Sequence, residues 1–258
     1  MTEGTFSYIM KSKSTKVFKK PQHTNDWTYG SKGEGILRKK IAIVHTTPVT
    51  IESLKALINE TVPDCEIVNF VDDSILPELN ENGGDVSKVE PRLIQYYKFA
   101  EQVGADVILN ACSSVGEVVA AGQKQVGIPI VRIDESMAEK AIRSGGKIGV
   151  IATLATTLDP TMTLLRAKSA EVNCEVELTS NVAEEAYKRL LSGDKDGHDQ
   201  ILTDVLTKIA EKVDVVVLAQ ASMARVVSSL PEELQTKFLS SPKLGVESVK
   251  EVLEGITK

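Results

Sequence analysis

The chain has 258 residues, 42% hydrophobic and 26% charged, a globular composition long enough for one large or two small domains with buried cores. A net charge of −6 with no evident basic patch argues against a nucleic-acid partner, and 4% aromatic residues supply no base-stacking platform. No apolar run approaches the roughly 18 residues of a membrane span, so no membrane partner is expected.

Residues 1–38 read as a polar N-terminal arm. Lys11, Lys13, Lys16, Lys19 and Lys20 crowd together there, and no apolar run marks a secretory signal. The arm is either loosely attached or laid over a neighbouring subunit, with Phe6, Tyr8, Trp27 and Tyr29 as anchors. Three cysteines, Cys65, Cys112 and Cys174, form an odd set without zinc-site spacing. They point to free thiols in the reducing cytoplasm, with no metal expected.

From Lys40 onward the chain is written twice. "KIAIVHT" at 40–46 resembles "KIGVIAT" at 147–153, Cys65-Glu66-Ile67 resembles Cys174-Glu175-Val176, and Asp106-Val107 resembles Asp214-Val215. The offsets run only from 107 to 109 positions, and a near-constant offset in the same order marks duplication. In each half a β-branched apolar run, as of a strand buried on both faces, precedes a helical pattern: "TIESLKALINE" first, "TMTLLRAKSAE" second. "CEIVNFV" and "CEVELT" read as second strands. "PRLIQYYKFAEQVGA" and "HDQILTDVLTKIAEKV" read as amphipathic helices leading into the strands "DVILNA" and "DVVVLA". "IPIVRID" adds a fourth strand to the first half, and "SMAEKAIRSG" a helix leading across. The final "SPKLGVESVKEVLEGI" is a helix with Pro242 near its start, returning to the first half.

This alternation predicts an α/β protein: two duplicated Rossmann-like domains with parallel sheets, related by a pseudo-two-fold, with the active site in the cleft between them. The expected first domain is 39–143 plus 236–258, and the second is 144–235. Ligands of such sheets bind outside the carboxyl ends of the strands. Four segments then converge: His45-Thr46-Thr47, Cys112-Ser113-Ser114, Thr153 to Thr157, and Gln220-Ala221-Ser222. Duplication sets Cys112 across the cleft from Gln220.

These residues resemble the aspartate/glutamate racemase superfamily, which includes hydantoin racemases and arylmalonate decarboxylases. The likeness covers Lys40 to Lys258. It implies a thiol closing a strand in each half, one taking the proton α to a carboxylate and the other returning one on the opposite face, without pyridoxal phosphate or metal. Cys112-Ser113-Ser114 matches the first motif. "VLAQASMA" is similar to the second, where hydantoin racemases have Cys before Ala-Gly-Met, but Gln220 stands in that cysteine's place. "GVIATLATT" resembles a loop that binds substrate carboxylate, through Thr153 and Thr156 here. Thr46 and Thr47 fall where the family holds polar substrate contacts; an N-cap before "VTIESLKAL" is the alternative.

The expected chemistry centres on Cys112. A helix beginning at "SSVGEVVAAGQ" lowers the thiol pKa from its reference near 8.5 and, with Ser113 and Ser114, holds a carboxylate or enediolate. Gln220 only donates and accepts hydrogen bonds, so symmetric two-thiol racemisation is excluded. His45, closing the first strand, is the candidate second acid or base. His198 falls at a helix start, as a cap or a solvated side chain, and His23 lies in the arm. Asp72 and Asp73 either meet a polar substrate group or an amine, or cap the following turn. Thr46, Thr47, Ser113, Ser114, Thr153, Thr156, Gln220 and Ser222 complete the expected substrate contacts. No G-x-G-x-x-G follows the first strand, so no nicotinamide is expected, nor any other cofactor. The reading is a cofactor-independent racemase or isomerase of a small carboxylate, cytoplasmic and homo-oligomeric. The alternatives are a one-cysteine decarboxylase or lyase, and a non-catalytic carboxylate-binding protein.

Overall fold

A computed structural model describes residues 38–220 and 223–256. The N-terminal arm, with His23 and its aromatic anchors, lies outside the described residues, as does Ser222. The first half holds β1 (Lys40–His45), α1 (Ile51–Thr61), β2 (Glu66–Val71), α2 (Ile75–Glu81), α3 (Glu90–Gln102), β3 (Val107–Asn110), α4 (Val118–Gly122) and β4 (Ile130–Arg132). α5 (Glu135–Ser144) leads to β5 (Lys147–Ala152), α6 (Ala155–Glu171), β6 (Glu177–Val182), α7 (Glu184–Leu191), α8 (Lys195–Ala210), β7 (Val215–Leu218), α9 (Ala224–Val227), α10 (Glu232–Gln235), β8 (Phe238–Ser240) and α11 (Ser241–Ile256).

Two parallel four-stranded sheets result, ordered β2-β1-β3-β4 and β6-β5-β7-β8. They are the same topology built twice. Residues alternate between faces along a strand, and helices cover both faces. Ala42 and Val44 therefore enter one core, and Ile41 and Ile43 the other. That is why β1 reads as an unbroken apolar run. The duplication extends to hydrogen bonds. Asp106 accepts from the Lys40 backbone N–H at 2.9 Å, and Asp214 from that of Lys147 at 2.8 Å. Each aspartate pins the start of its sheet's first strand.

The match of Cys65 to Cys174 holds at the preceding turn, where Asp64 and Asn173 both have positive φ (61° and 51°). It slips at the strand. Lys40 pairs with Glu66, but Lys147 pairs with Glu177, so β6 starts two residues later than "CEVELT" implies. Glu-apolar alternation runs through Glu175-Val176-Glu177-Leu178, and a two-residue slip preserves which side chains face inward. α6 also begins earlier than expected, at Ala155, and runs through Pro160. The proline lacks the N–H that would bond the Thr156 carbonyl.

The halves exchange helices. α5 follows β4 of the first sheet, yet buries Met137, Ala138, Ala141 and Ile142 in the second core. α11 follows β8 of the second sheet, yet buries Val246, Val249 and Leu253 in the first. Gly245 permits their close crossing, since a Cβ there would stand 2.5 Å from the Ile133 carbonyl oxygen. Ser136 and Ser248 share a hydrogen bond across it. The boundary expected at 235/236 moves accordingly. β8, too short to stand out in sequence, belongs to the second sheet, and the chain returns to the first half at Ser241.

Candidate active site

Strands β1, β3, β5 and β7 carry the four expected segments on their carboxyl ends. The turn after β3 is a 3-10 turn, Ser113–Val115, and it packs against α6 of the second half. This contact closes the first half's tips onto the second. Cys112 caps the turn in extended conformation, with φ −137° and ψ 118°. Around its sulfur stand the Thr46 hydroxyl, the Ser114 hydroxyl and N–H, and the Val115 N–H, all placed to donate to a thiolate.

The expected lowering of the thiol pKa is not found. Burial pushes the Cys112 thiol above its ordinary value, and the four donors only partly offset this. A single 3-10 turn and the five-residue α4 stand where a continuous helix was expected from Ser113.

A buried polar pair supports the turn. Asn110 is fully buried; its Nδ2 donates to the Cys112 carbonyl at 3.1 Å, and its Oδ1 accepts from the Tyr97 hydroxyl at 3.0 Å. Burial pushes the Tyr97 phenol far up, so it stays a donor. Beside them the Arg132 guanidinium forks onto the fully buried Asp134, at 2.6 and 3.0 Å, and lies against Gly116. A Cβ at Gly116 would overlap that guanidinium. Sequence reasoning passed over these four residues. The signal for Asn110 was a polar residue closing the apolar run "DVILN". The Arg132 and Asp134 pair carried none, because nothing in one strand tip announces the glycine it will face.

His45 is fully buried, and both ring nitrogens are engaged within its own half. Nε2 lies 3.0 Å from Asn69 Oδ1, and Nδ1 lies 2.8 Å from the Thr50 hydroxyl. Burial pulls its pKa down despite the Asn69 bond, leaving a neutral imidazole. Thr47 accepts from the Val49 N–H, serving as an N-cap. Burial alone would raise the Asp72 pKa, but Ser74, Tyr96 and Arg92 together hold it below the usual range. Asp72 thus caps its turn, and Asp73 is exposed. His198 is neither a cap nor solvated: it is buried, with Nδ1 2.6 Å from Asp199, whose carboxylate also pairs with Arg225.

On the opposite wall, Gln220 follows β7. Its Oε1 accepts from both the backbone N–H and the hydroxyl of Thr153, each at 2.7 Å. The parallel with the first half is close: Thr46 follows β1 and turns its hydroxyl to Cys112, while Thr153 follows β5 and turns its hydroxyl to Gln220. Gln220 thus stands in the second half where Cys112 stands in the first, two residues beyond the central strand of its sheet. Thr156 is half-buried in the first turn of α6, Ser113 half-buried and Ser114 buried. Cys174 lies elsewhere, beside Asn173 in a surface groove of about 540 Å³ between α6 and β6, and Cys65 sits at the amino end of β2. Among the described residues no cluster of His, Cys, Asp or Glu is arranged to hold a metal ion. No helix among them is long and apolar enough to cross a membrane.

Fold and site together define a duplicated two-domain α/β protein with one thiol at the strand tips. Residues 42–249 match the family described as Asp/Glu/Hydantoin racemase, and the chain belongs to that family. None of the curated proteins matches it in sequence. Among solved structures, it resembles a glutamate racemase from Bacillus anthracis (21% identity, 84% of this chain and 83% of that one, TM-score 0.67). A glutamate racemase from Francisella tularensis, solved with D-glutamate, is similar over 85% of this chain and 82% of its own, at 16% identity and TM-score 0.67. An allantoin racemase from Klebsiella pneumoniae matches over 84% and 88%, at 16% identity and TM-score 0.57.

Proposed function

We propose that this protein is a cofactor-independent enzyme that moves a proton at the carbon next to a carboxylate of a small acid, through Cys112. The observation that carries this is the sulfur's setting, a strand-tip thiol ringed by four donors. As thiolate, Cys112 takes the α proton: the C–H bond breaks, an S–H bond forms, and the electron pair moves into the carboxylate as an enediolate. Ser113, Ser114, Thr156 and the backbone N–H groups of the Cys112 turn hold that charge. Return of the proton from sulfur restores the substrate. Protonation by water on the Gln220 side gives the mirror image, and the hydroxide left behind takes the Cys112 proton through solvent, restoring the thiolate. His45 has no free nitrogen for this work and is assigned to positioning the β1 tip. Three free cysteines favour action in the cytoplasm, and a homo-oligomer without nucleic-acid or membrane partners remains part of the proposal.

A second reading, a one-thiol decarboxylase, is favoured by the raised Cys112 pKa. A resting thiol is an acid. After loss of CO₂, the electron pair left on carbon takes the thiol proton.

The test is α-proton exchange in D₂O, followed by NMR, over amino acids, hydroxy acids, hydantoins and substituted malonates, with Cys112→Ala beside the wild type. Exchange, or CO₂ loss with one deuterium gained, that disappears in Cys112→Ala is the expected result. Turnover that survives the substitution refutes the proposal.

A further inference from the structure

The Gln220 amide has only one possible orientation. The Thr153 backbone N–H can only donate, so the atom facing it at 2.7 Å must be the Gln220 oxygen. The Thr153 hydroxyl adds a second bond to the same oxygen. The NH₂ end is therefore turned away from the Thr153 N–H and hydroxyl. It makes no hydrogen bond among the described residues and is not a buried unpaired group. What the second wall offers a ligand is a neutral donor, where a thiol would be a proton carrier.

The first wall also turns donors inward: the Ser114 and Val115 N–H groups can only donate, and the Thr46 and Ser114 hydroxyls direct their protons to the sulfur. An ammonium group needs the reverse, a free carboxylate or an acceptor. Each sheltered aspartate near the tips is already neutralised. Asp72 pairs with Arg92 at 3.6 Å, Asp134 with Arg132 at 2.6 Å, and Asp199 with Arg225 at 2.5 Å. Glu135, next to Asp134, pairs with Lys168 at 2.5 Å. The other acids by the tips, Asp73, Glu117, Asp159 and Glu184, are exposed.

We infer that the site takes acids whose α-substituent presents a hydrogen-bond acceptor, such as a hydroxyl, a second carboxylate or the carbonyl of an acylated nitrogen, and rejects free α-amino acids. Gln220 Nε2 donates to that acceptor, on the face of the α-carbon away from Cys112, and Thr153 fixes its orientation. The inference rests on the proposed function for the position of the α-carbon, but not on turnover.

The experiment compares acids of one carbon skeleton bearing α-hydroxyl, α-carboxyl, α-carbamoylamino or α-ammonium groups. Binding is measured by calorimetry and exchange by NMR in D₂O, with wild type, Gln220→Glu and Gln220→Leu, each checked for folding by its thermal melt. The wild type should bind at least one acceptor-bearing acid about tenfold or more tightly than the α-ammonium acid, as a hydrogen bond to a charged group implies. Gln220→Leu should level that ranking, and Gln220→Glu should turn it toward the α-ammonium acid. Equal or tighter wild-type binding of the amino acid overturns the inference, as does an unchanged ranking in the folded variants or no binding of any acid. The two proposals fail separately. Ranked binding without Cys112-dependent exchange removes the proton-transfer reading and leaves the inference standing. Cys112-dependent exchange of the amino acid does the opposite.

Discussion

Replacing Thr46 by Val tests the donor ring around Cys112. The side chain keeps its branched shape and loses only the hydroxyl, which is buried and directed at the sulfur. A hydrogen bond to a charged group is worth about 1.5–3 kcal/mol, so the thiolate population at a fixed pH below its pKa should fall about ten- to hundredfold. The remaining thiolate is more basic and a better nucleophile, which returns roughly half of that loss on a logarithmic scale. Alkylation of Cys112 by iodoacetamide, followed by mass spectrometry at several pH values, should therefore slow about three- to tenfold in Thr46→Val at neutral pH. The pH midpoint should move upward. Cys174, on the surface groove, serves as the internal control and should react at its wild-type rate. An unchanged Cys112 rate and midpoint would show that Thr46 does not hold the thiolate, and the argument from the ring of donors would fall.

Other expectations follow from the same contacts. The Cys112 pKa is raised, so a reaction that uses the thiolate as base gains rate as pH climbs past the ordinary thiol range, whereas a decarboxylation that uses the thiol as acid loses rate there. A pH–rate profile thus separates the two readings by the sign of its alkaline limb. His45 binds its proton less readily folded than unfolded. The unfolded chain then takes up the extra proton as pH drops below about 6.5, so the wild type loses stability on acidification through that range. His45→Gln should flatten that loss in urea titrations, and an unaltered pH dependence would speak against a neutral buried ring. At Gly116 the new methyl of an alanine meets a guanidinium locked onto Asp134, so Gly116→Ala should destabilise by about 1–3 kcal/mol. The double variant with Arg132→Ala should lose less stability than the sum of the two separate losses, read by urea denaturation.

Much of this architecture was legible because duplication leaves a mark that survives divergence. The two "KIAIVH"-like runs, the aspartates at 106 and 214 and the strand tips all fall where the offset puts them. What was hidden depends on partners distant in sequence. The exchange of α5 and α11 cannot be read from amphipathic patterns, which show that a helix has an apolar face but not which sheet it covers. His45 looked like a free base because a strand-end histidine is silent about Asn69 and Thr50. The Cys112 pKa came out opposite in direction because "SSVGEVVAAGQ" does not show how deeply the thiol is buried, and burial outweighs the donors at the turn. Gln220 was legible as a missing thiol. Its orientation by Thr153 was not, since that is a matter of hydrogen bonds rather than of residue type.

The most direct test of the account follows deuterium content and optical purity together, in one sample of an exchanging chiral acid in D₂O. With a single thiol whose proton exchanges with D₂O before it returns, deuterium should enter the recovered substrate with retention as well as with inversion, faster than the mirror image forms, and both changes should vanish in Cys112→Ala. Equal rates from the first turnovers would mean a second, equally effective acid on the Gln220 wall. Exchange persisting without Cys112 would mean that the chemistry lies with other residues.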